Sequence, residues 1–214
     1  MKSITSQKPL EEIKEAIANY DRAFIVGCGT CTTMTKTGGI DQVLAMKAQL
    51  QQLEKRVSGW IVIPTACDEM TDEALRENSQ SIADASVVLA MTCALGVHRM
   101  NLYLDRPVIP ALNTLFIAVE ESPGYFREAC AQCGQCIIGE TAGVCPVTAC
   151  HKGLVNGPCG GTNNGKCEVD KEQDCAWTLI YQRLKAQDRL DLMYKYQPPR
   201  NSHAVLRPKA VRVQ

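Results

Sequence analysis

The sequence predicts an α/β fold, a parallel sheet with flanking helices, followed by a cysteine-rich module and a C-terminal helix. Three observations predict it. Short apolar runs alternate with amphipathic stretches through the first half of the chain, the pattern of strands joined by crossover helices. The composition shifts after Glu120. Between Cys130 and Cys175 stand eight of the chain's 12 cysteines, interleaved with glycines and prolines and with too few large apolar side chains to build a core alone.

In order, Pro9 to Tyr20 is predicted as a helix, because Leu10, Ile13 and Ile17 share a face at helical spacing. AFIV (Ala23–Val26) reads as a buried strand and ends in a loop rich in Gly and Thr, Gly27–Gly39. Asp41 is expected to cap a helix reaching about Arg56, with Val43, Leu44, Met46, Leu50 and Leu53 as its apolar positions. The alternation then repeats. WIVIP (Trp60–Pro64) is a second strand, Thr71 to Asp84 a helix, and SVVLAM (Ser86–Met91) a third strand. A short helix is expected over Val97–Leu104, and PVIPALN (Pro107–Asn113) is an edge-like fourth strand, since its two prolines disfavour a central place. The arrangement is Rossmann-like. Glu121–Gly124 (ESPG) is a plausible boundary. Residues 1–120 then form the α/β domain, 121–176 a cysteine-rich cluster-binding module, and 177–214 a C-terminal helix with an extended tail.

Cys28, Cys67 and Cys93 each lie just past the end of a predicted strand, and Cys31 sits in the first of those loops. In a parallel sheet all carboxyl ends lie at one edge, where ligands bind. Three loops would thus bring four thiols together, the donor set of a [4Fe-4S] cluster or a tetrahedral zinc site. Against this stands the reading of Cys67 and Cys93 as small buried hydrophobes. The GCGTC loop is a weak match to a phosphate cradle, being neither GxGxxG nor GxxxxGK[ST].

In the module, Cys130, Cys133 and Cys136 have the spacing of the first three ligands of ferredoxin-type cluster loops. Cys145-Pro146 resembles the Cys-Pro that ends such loops, at a longer interval. Cys150, Cys159, Cys167 and Cys175 follow at spacings of no simple zinc finger. His151 is a spare ligand or a surface histidine; the sequence names no partner for His98 or His203. Asp174 is expected to cap a final helix from Cys175 to about Tyr194. The basic tail beyond it carries Val205, Leu206, Val211 and Val213, which would suit an arm lying on a partner.

Charge excludes some functions. With 23 Lys+Arg against 23 Asp+Glu, nucleic acid and anionic membranes are not expected as partners. The N-terminus lacks the apolar core of a signal peptide, and no apolar run is long enough to span a bilayer. The chain is therefore expected to be cytoplasmic, where dense cysteine favours metal or redox chemistry over disulfides. No nucleophilic triad can be argued from three histidines.

At this point the residues resemble a known family. LVNGPCGGTNNGKCEV (Leu154–Val169) followed by DCAW (Asp174–Trp177) is similar to the C-terminal-type domain of methylenetetrahydrofolate reductase, a separate small iron–sulfur subunit in acetogens and related anaerobes. The VGCGTC, ACDE, PALNT and CPVTAC segments are similar too, so the resemblance runs from about Asp21 to Leu192. One departure is Ala94 after Cys93, where that family leads one to expect a glycine.

The resemblance implies an accessory subunit of one-carbon (Wood–Ljungdahl) metabolism, itself non-catalytic. Its partner would be a flavin-containing TIM-barrel subunit that makes 5-methyltetrahydrofolate, with FMN on that partner only. In two variants of that family, further subunits related to heterodisulfide reductase or of Rnf type would bring in the electrons. All twelve cysteines would be ligands, of two or three [4Fe-4S] clusters, with zinc in one four-cysteine site as a variant. The alternatives are a zinc-bound docking module of the same complex without redox role, and a redox-active Cys28–Cys31 dithiol.

Overall fold

The computed structural model describes residues 2–201; His203 and the valines and leucine of the tail lie outside the described residues. In chain order, β1 (Lys2–Gln7) and α1 (Leu10–Ala16) precede β2 (Arg22–Cys28), α2 (Cys31–Met34), α3 (Ile40–Gln52) and β3 (Arg56–Ile63). Then come α4 (Met70–Glu77), α5 (Ser79–Ala83), β4 (Val87–Met91), α6 (Ala94–Asn101), β5 (Val108–Pro110), β6 (Leu112–Ser122) and β7 (Tyr125–Glu128). Beyond these lie α7 (Pro146–Ala149), α8 (Ala176–Ala186) and a 3-10 turn at Leu190–Tyr194. The chain divides into two compact units, Met1–Phe126 and Arg127–Gln214.

The first unit is built on a four-stranded parallel sheet in the order β3-β2-β4-β5. Its strands alternate faces as the two-residue period requires. Ile25, Val87, Leu89 and Met91 pack with Ile13 and Ile17 of the α1 region and Val43, Met46 and Leu50 of α3. Phe24, Val26, Val88 and Ala90 face the other way, onto Leu75, Ile82 and Met100. Helices thus cover both faces, and the predicted fold class is the observed one. β5 is the edge strand, with Pro110 paired to Ala90, a place where a missing N–H is tolerated.

Several expected boundaries move. The first helix stops at Ala16. α3 starts from Gly39 instead of Asp41: the Gly39 N–H donates to Gln42 Oε1 at 3.2 Å, while Asp41 lies in the first turn, where a carboxylate suits the helix dipole. Thr71–Asp84 is two helices, broken at Asn78, whose Nδ2 donates to the Ala74 carbonyl at 2.9 Å and so competes with the backbone ladder. The fourth predicted strand is cut at Ala111: β5 ends at Pro110 and the chain then leaves the parallel sheet. β6 joins a separate three-stranded sheet, β1-β6-β7, in which β1 runs antiparallel to β6 with a register shift at Ile4/Thr5. None of its strands is anticipated by the run-and-helix alternation. The Glu121–Gly124 segment spans the end of β6 and the turn into β7, with Gly124 at φ +78°.

In the second unit the apolar interior is small. Val144, Ala176, Trp177, Ile180 and Leu184 form its only buried cluster among the described residues. The expected final helix begins one residue later than Cys175, which is its N-cap, and ends at Ala186. Asp188 adopts φ +54°, a left-handed conformation that stops a helix. Asp174 is no cap; it pairs with Lys166 Nζ at 2.7 Å.

Candidate functional site

At the carboxyl edge of the parallel sheet, β2 ends on Cys28 and the loop folds straight back. The Cys28 N–H donates to the Gly38 carbonyl at 3.0 Å and the Gly29 N–H to Ile63 at 2.7 Å. Thr33 and Thr32 hydroxyls both donate to the Cys28 carbonyl, at 2.7 and 3.1 Å, and Thr5 and Thr37 hydroxyls meet at 2.6 Å. The threonines of this loop are thereby committed to its own framework and to β1, which is a reason not to read it as a phosphate cradle. Gly38 is required by space: a Cβ there would stand 1.9 Å from the Met91 carbonyl oxygen of β4. This closeness draws the Cys28 loop against the end of β4.

Three further thiols share that edge. Cys31 opens α2, Cys67 follows β3 and is exposed, and Cys93 is the buried N-cap of α6. Strand order reverses between β2 and β4, so Cys28 and Cys93 flank the crevice where such sheets bind ligands. The Cys67 thiol is pushed up by partial burial, then by Cys93, Cys28, Asp68 and Cys31. The other three strand-end thiols therefore each lie within electrostatic range of Cys67. Ala94, the residue departing from the resembled pattern, starts α6 in ordinary geometry, its N–H donating to Thr114 Oγ1 at 2.8 Å.

In the second unit, a small cavity is lined by Cys150, Cys159, Cys167 and Cys175 together with Val169 and Trp177. Short backbone links set this up. The Cys175 N–H donates to the Gly165 carbonyl at 2.7 Å, the Cys167 N–H to Gln173 at 2.9 Å, and the Gly161 N–H to Cys159 Sγ at 3.4 Å. Trp177 Nε1 donates to the Leu154 carbonyl at 2.9 Å, tying α8 to the loop before Cys159. Burial pushes the Cys175 thiol up, but the Thr178 N–H and hydroxyl, the Thr162 hydroxyl and the Trp177 N–H outweigh it, and the net shift is down. A thiolate there sits on the N-terminus of α8, where anions are favoured.

The remaining four are arranged differently. Cys130, Cys133 and Cys136 follow one another along a segment without regular structure, and Cys145 caps α7 with Pro146 at its first position. The Gln132 N–H donates to Cys130 Sγ at 3.3 Å. Cys133 is held below the ordinary thiol value by the Gln135 N–H, against burial, and then by Arg200. His151 is bonded to Gln173 Oε1 at 2.9 Å and lies on the surface beside Asp170.

All twelve cysteines are free thiols. Among the described residues, no group of three or more His, Cys, Asp or Glu side chains is closed up as a metal-holding site. The donor type would suit one: four thiols stand along the sheet edge and four line the second unit's cavity, where the Gly161 N–H is aimed at Cys159 Sγ.

Residues 109–203 match the family described as methylene-tetrahydrofolate reductase C terminal. That stretch, a little under half of the chain, is similar to the C-terminal region of that reductase. The matched stretch contains all eight cysteines of the second unit and leaves the strand-end four outside it. No curated protein and no solved structure matches the chain. Among the described residues, no helix is long and apolar enough to cross a membrane.

Arg200 and the Gly38–Met91 approach went unanticipated. A single arginine in a proline-bearing tail carries no sequence signal, whereas the paired Gly38-Gly39 after a threonine run was a visible sign of a tight return.

Proposed function

We propose that this chain is the iron–sulfur electron-transfer subunit of a methylenetetrahydrofolate reductase complex, passing electrons to or from the flavin of a TIM-barrel partner. The observation that supports the reading is the meeting of Cys28, Cys31, Cys67 and Cys93 at one sheet edge, from three loops far apart in sequence, with a second four lining one cavity. Cys28, Cys31, Cys67 and Cys93 would hold one [4Fe-4S] cluster at the sheet edge. Cys150, Cys159, Cys167 and Cys175 would hold a second. Cys130, Cys133, Cys136 and Cys145 would hold a third, or zinc.

A [4Fe-4S] cluster supplies one-electron chemistry when bound. The chain's own residues would bind and tune it. The loops after β2, β3 and β4 present thiols from three directions. The amides of Gly161 and Gln132 donate to sulfur, which favours the more negative state, and the buried Trp177 lines the second set on its inner side. The folate substrate would belong to the partner.

The test is iron, acid-labile sulfide and zinc content of anaerobically purified protein, with visible spectra before and after dithionite. Expected is iron matched by sulfide and a brown absorption that bleaches. Cys67→Ser, Cys133→Ser and Cys167→Ser should each lower iron by one cluster's worth or less and leave the rest. A colourless protein with stoichiometric zinc and no sulfide overturns the proposal in favour of a docking role.

A further inference from the structure

Residues 195–201 form no helix or strand, yet they are tied down along their length. Lys195 Nζ and Gln197 Nε2 both donate to the Glu140 carboxylate, at 2.6 and 2.5 Å. The Gln197 N–H donates to Asn156 Oδ1 at 2.7 Å, and Asn156 Nδ2 returns a bond to the Gln197 carbonyl at 2.9 Å. Pro198 and Pro199 follow, each with a fixed φ and no N–H of its own. Gln135 then brackets the far end, donating to the Asn201 carbonyl at 2.7 Å and accepting its N–H at 3.3 Å.

This strap delivers one side chain inward. Arg200 Nη2 donates to Cys133 Sγ at 2.7 Å and to the Gln135 carbonyl at 3.1 Å. Its other terminal nitrogen, Nη1, is buried and has no hydrogen-bond partner among the described residues. No carboxylate bonds Arg200 among the described residues. A guanidinium is always charged and carries five donors in a rigid fork. Burying one end of it without an acceptor forfeits hydration for nothing, unless an acceptor beside Cys133 completes the fork. Other arginines of this unit behave differently: Arg183 and Arg189 reach the Ala142 and Gly139 carbonyls from exposed positions.

We propose that Arg200, held in place by the 195–201 strap, donates to an anionic group bound at Cys133 and raises the reduction potential of that centre above what its thiolates alone would set. The proposal rests on the cluster reading given above. Adding an electron makes an already anionic group more negative, and a fixed, poorly solvated cation stabilises the reduced form more than the oxidised one. The electron comes from the partner in the complex, or from dithionite in the test.

The test uses the full chain, purified anaerobically, as wild type, Arg200→Gln, Arg200→Lys and Arg183→Gln. Iron and sulfide are counted first, and each centre's midpoint is then read by dithionite titration with EPR detection. Cys133→Ser identifies the centre concerned. In Arg200→Gln that centre alone should lose about tenfold in its reduced-to-oxidised ratio at fixed potential, which is about 59 mV downward for a one-electron couple. Arg200→Lys should move it less, and Arg183→Gln not at all. An iron-replete Arg200→Gln protein with every midpoint unchanged overturns the proposal and leaves the cluster reading intact. Should Arg200→Gln lose the centre, the lysine variant decides, and an unmoved midpoint there overturns it. Wild-type protein without iron removes both.

Discussion

The two units of this chain are ordered by different physics. In the first, Phe24, Ile25, Val26, Val88 and Leu89 are wholly buried between helices on either face of the sheet. Hydrophobic burial alone accounts for such a body, at roughly 1.5–3 kcal/mol for each large side chain taken from water. The second unit, with its single small cluster around Trp177 and Ile180, has little of that. Its backbone instead runs through left-handed conformations at Gln132, Ala142, Asn164 and Asp188. There, side-chain and backbone hydrogen bonds stand where a core would be, and the cysteines are the remaining source of cohesion. The difference teaches that cysteine does two jobs here. At the sheet edge it is placed by a finished fold, whereas after Arg127, on the proposed function, it would help make the fold, because metal binding to an unformed site is folding free energy.

The largest effect should come from stripping metal with a chelator under reducing, anaerobic conditions. Hydrogen exchange followed by mass spectrometry should show residues 127–201 losing protection by orders of magnitude, while β2 and β4 stay protected. Equal protection in both states would erase the contrast between the units.

Next come substitutions confined to the first unit. Leu89→Ala should cost about 2–5 kcal/mol in urea unfolding, from lost burial and a cavity. Gly38→Ala should cost roughly 1–3 kcal/mol, since its Cβ meets the Met91 carbonyl. Leu89→Ala should leave the iron content of a second-unit site unchanged. A matching loss of iron would show that the units are not independent in the way their interiors suggest.

A smaller effect sharpens the sheet-edge site. In metal-free, reduced protein the alkylation rate of Cys67 should reach half its maximum at a pH above that of a free thiol peptide, because burial, Cys93 and Cys28 all oppose the thiolate. Cys93→Ala should move that midpoint back down. A midpoint at or below the peptide's would mean the four thiols do not face one another.

The smallest concerns the second unit's surface. Lys166 holds the Asp174 carboxyl below its usual value, so the pair's contribution is present above the ordinary carboxylate range and is lost as pH falls through the lowered value. Asp174→Asn should therefore be slightly less stable than wild type at neutral pH, with the gap closing in acid. A gap independent of pH would assign the effect to shape instead of charge.

How much of this was legible in the residues depends on range along the chain. The α/β class, the two-sided burial of Ala23–Val26 and Ser86–Met91, and the placing of Cys28, Cys67 and Cys93 at strand ends all follow from local periodicity, and a strand's end is a local property. The β1-β6-β7 sheet was not legible, because Lys2 pairs with Ala118 and neither segment declares a partner.

The sequence by itself determined the elements of the sheet, the thinness of the second core and the supply of thiols. Only the tertiary structure decided the strand order that puts Cys28 and Cys93 on a crevice, the cavity that selects Cys150, Cys159, Cys167 and Cys175 from eight candidates, and the approach of Arg200 to Cys133. Periodicity reports what each segment buries; which distant segments meet is settled by how all the buried faces are satisfied together.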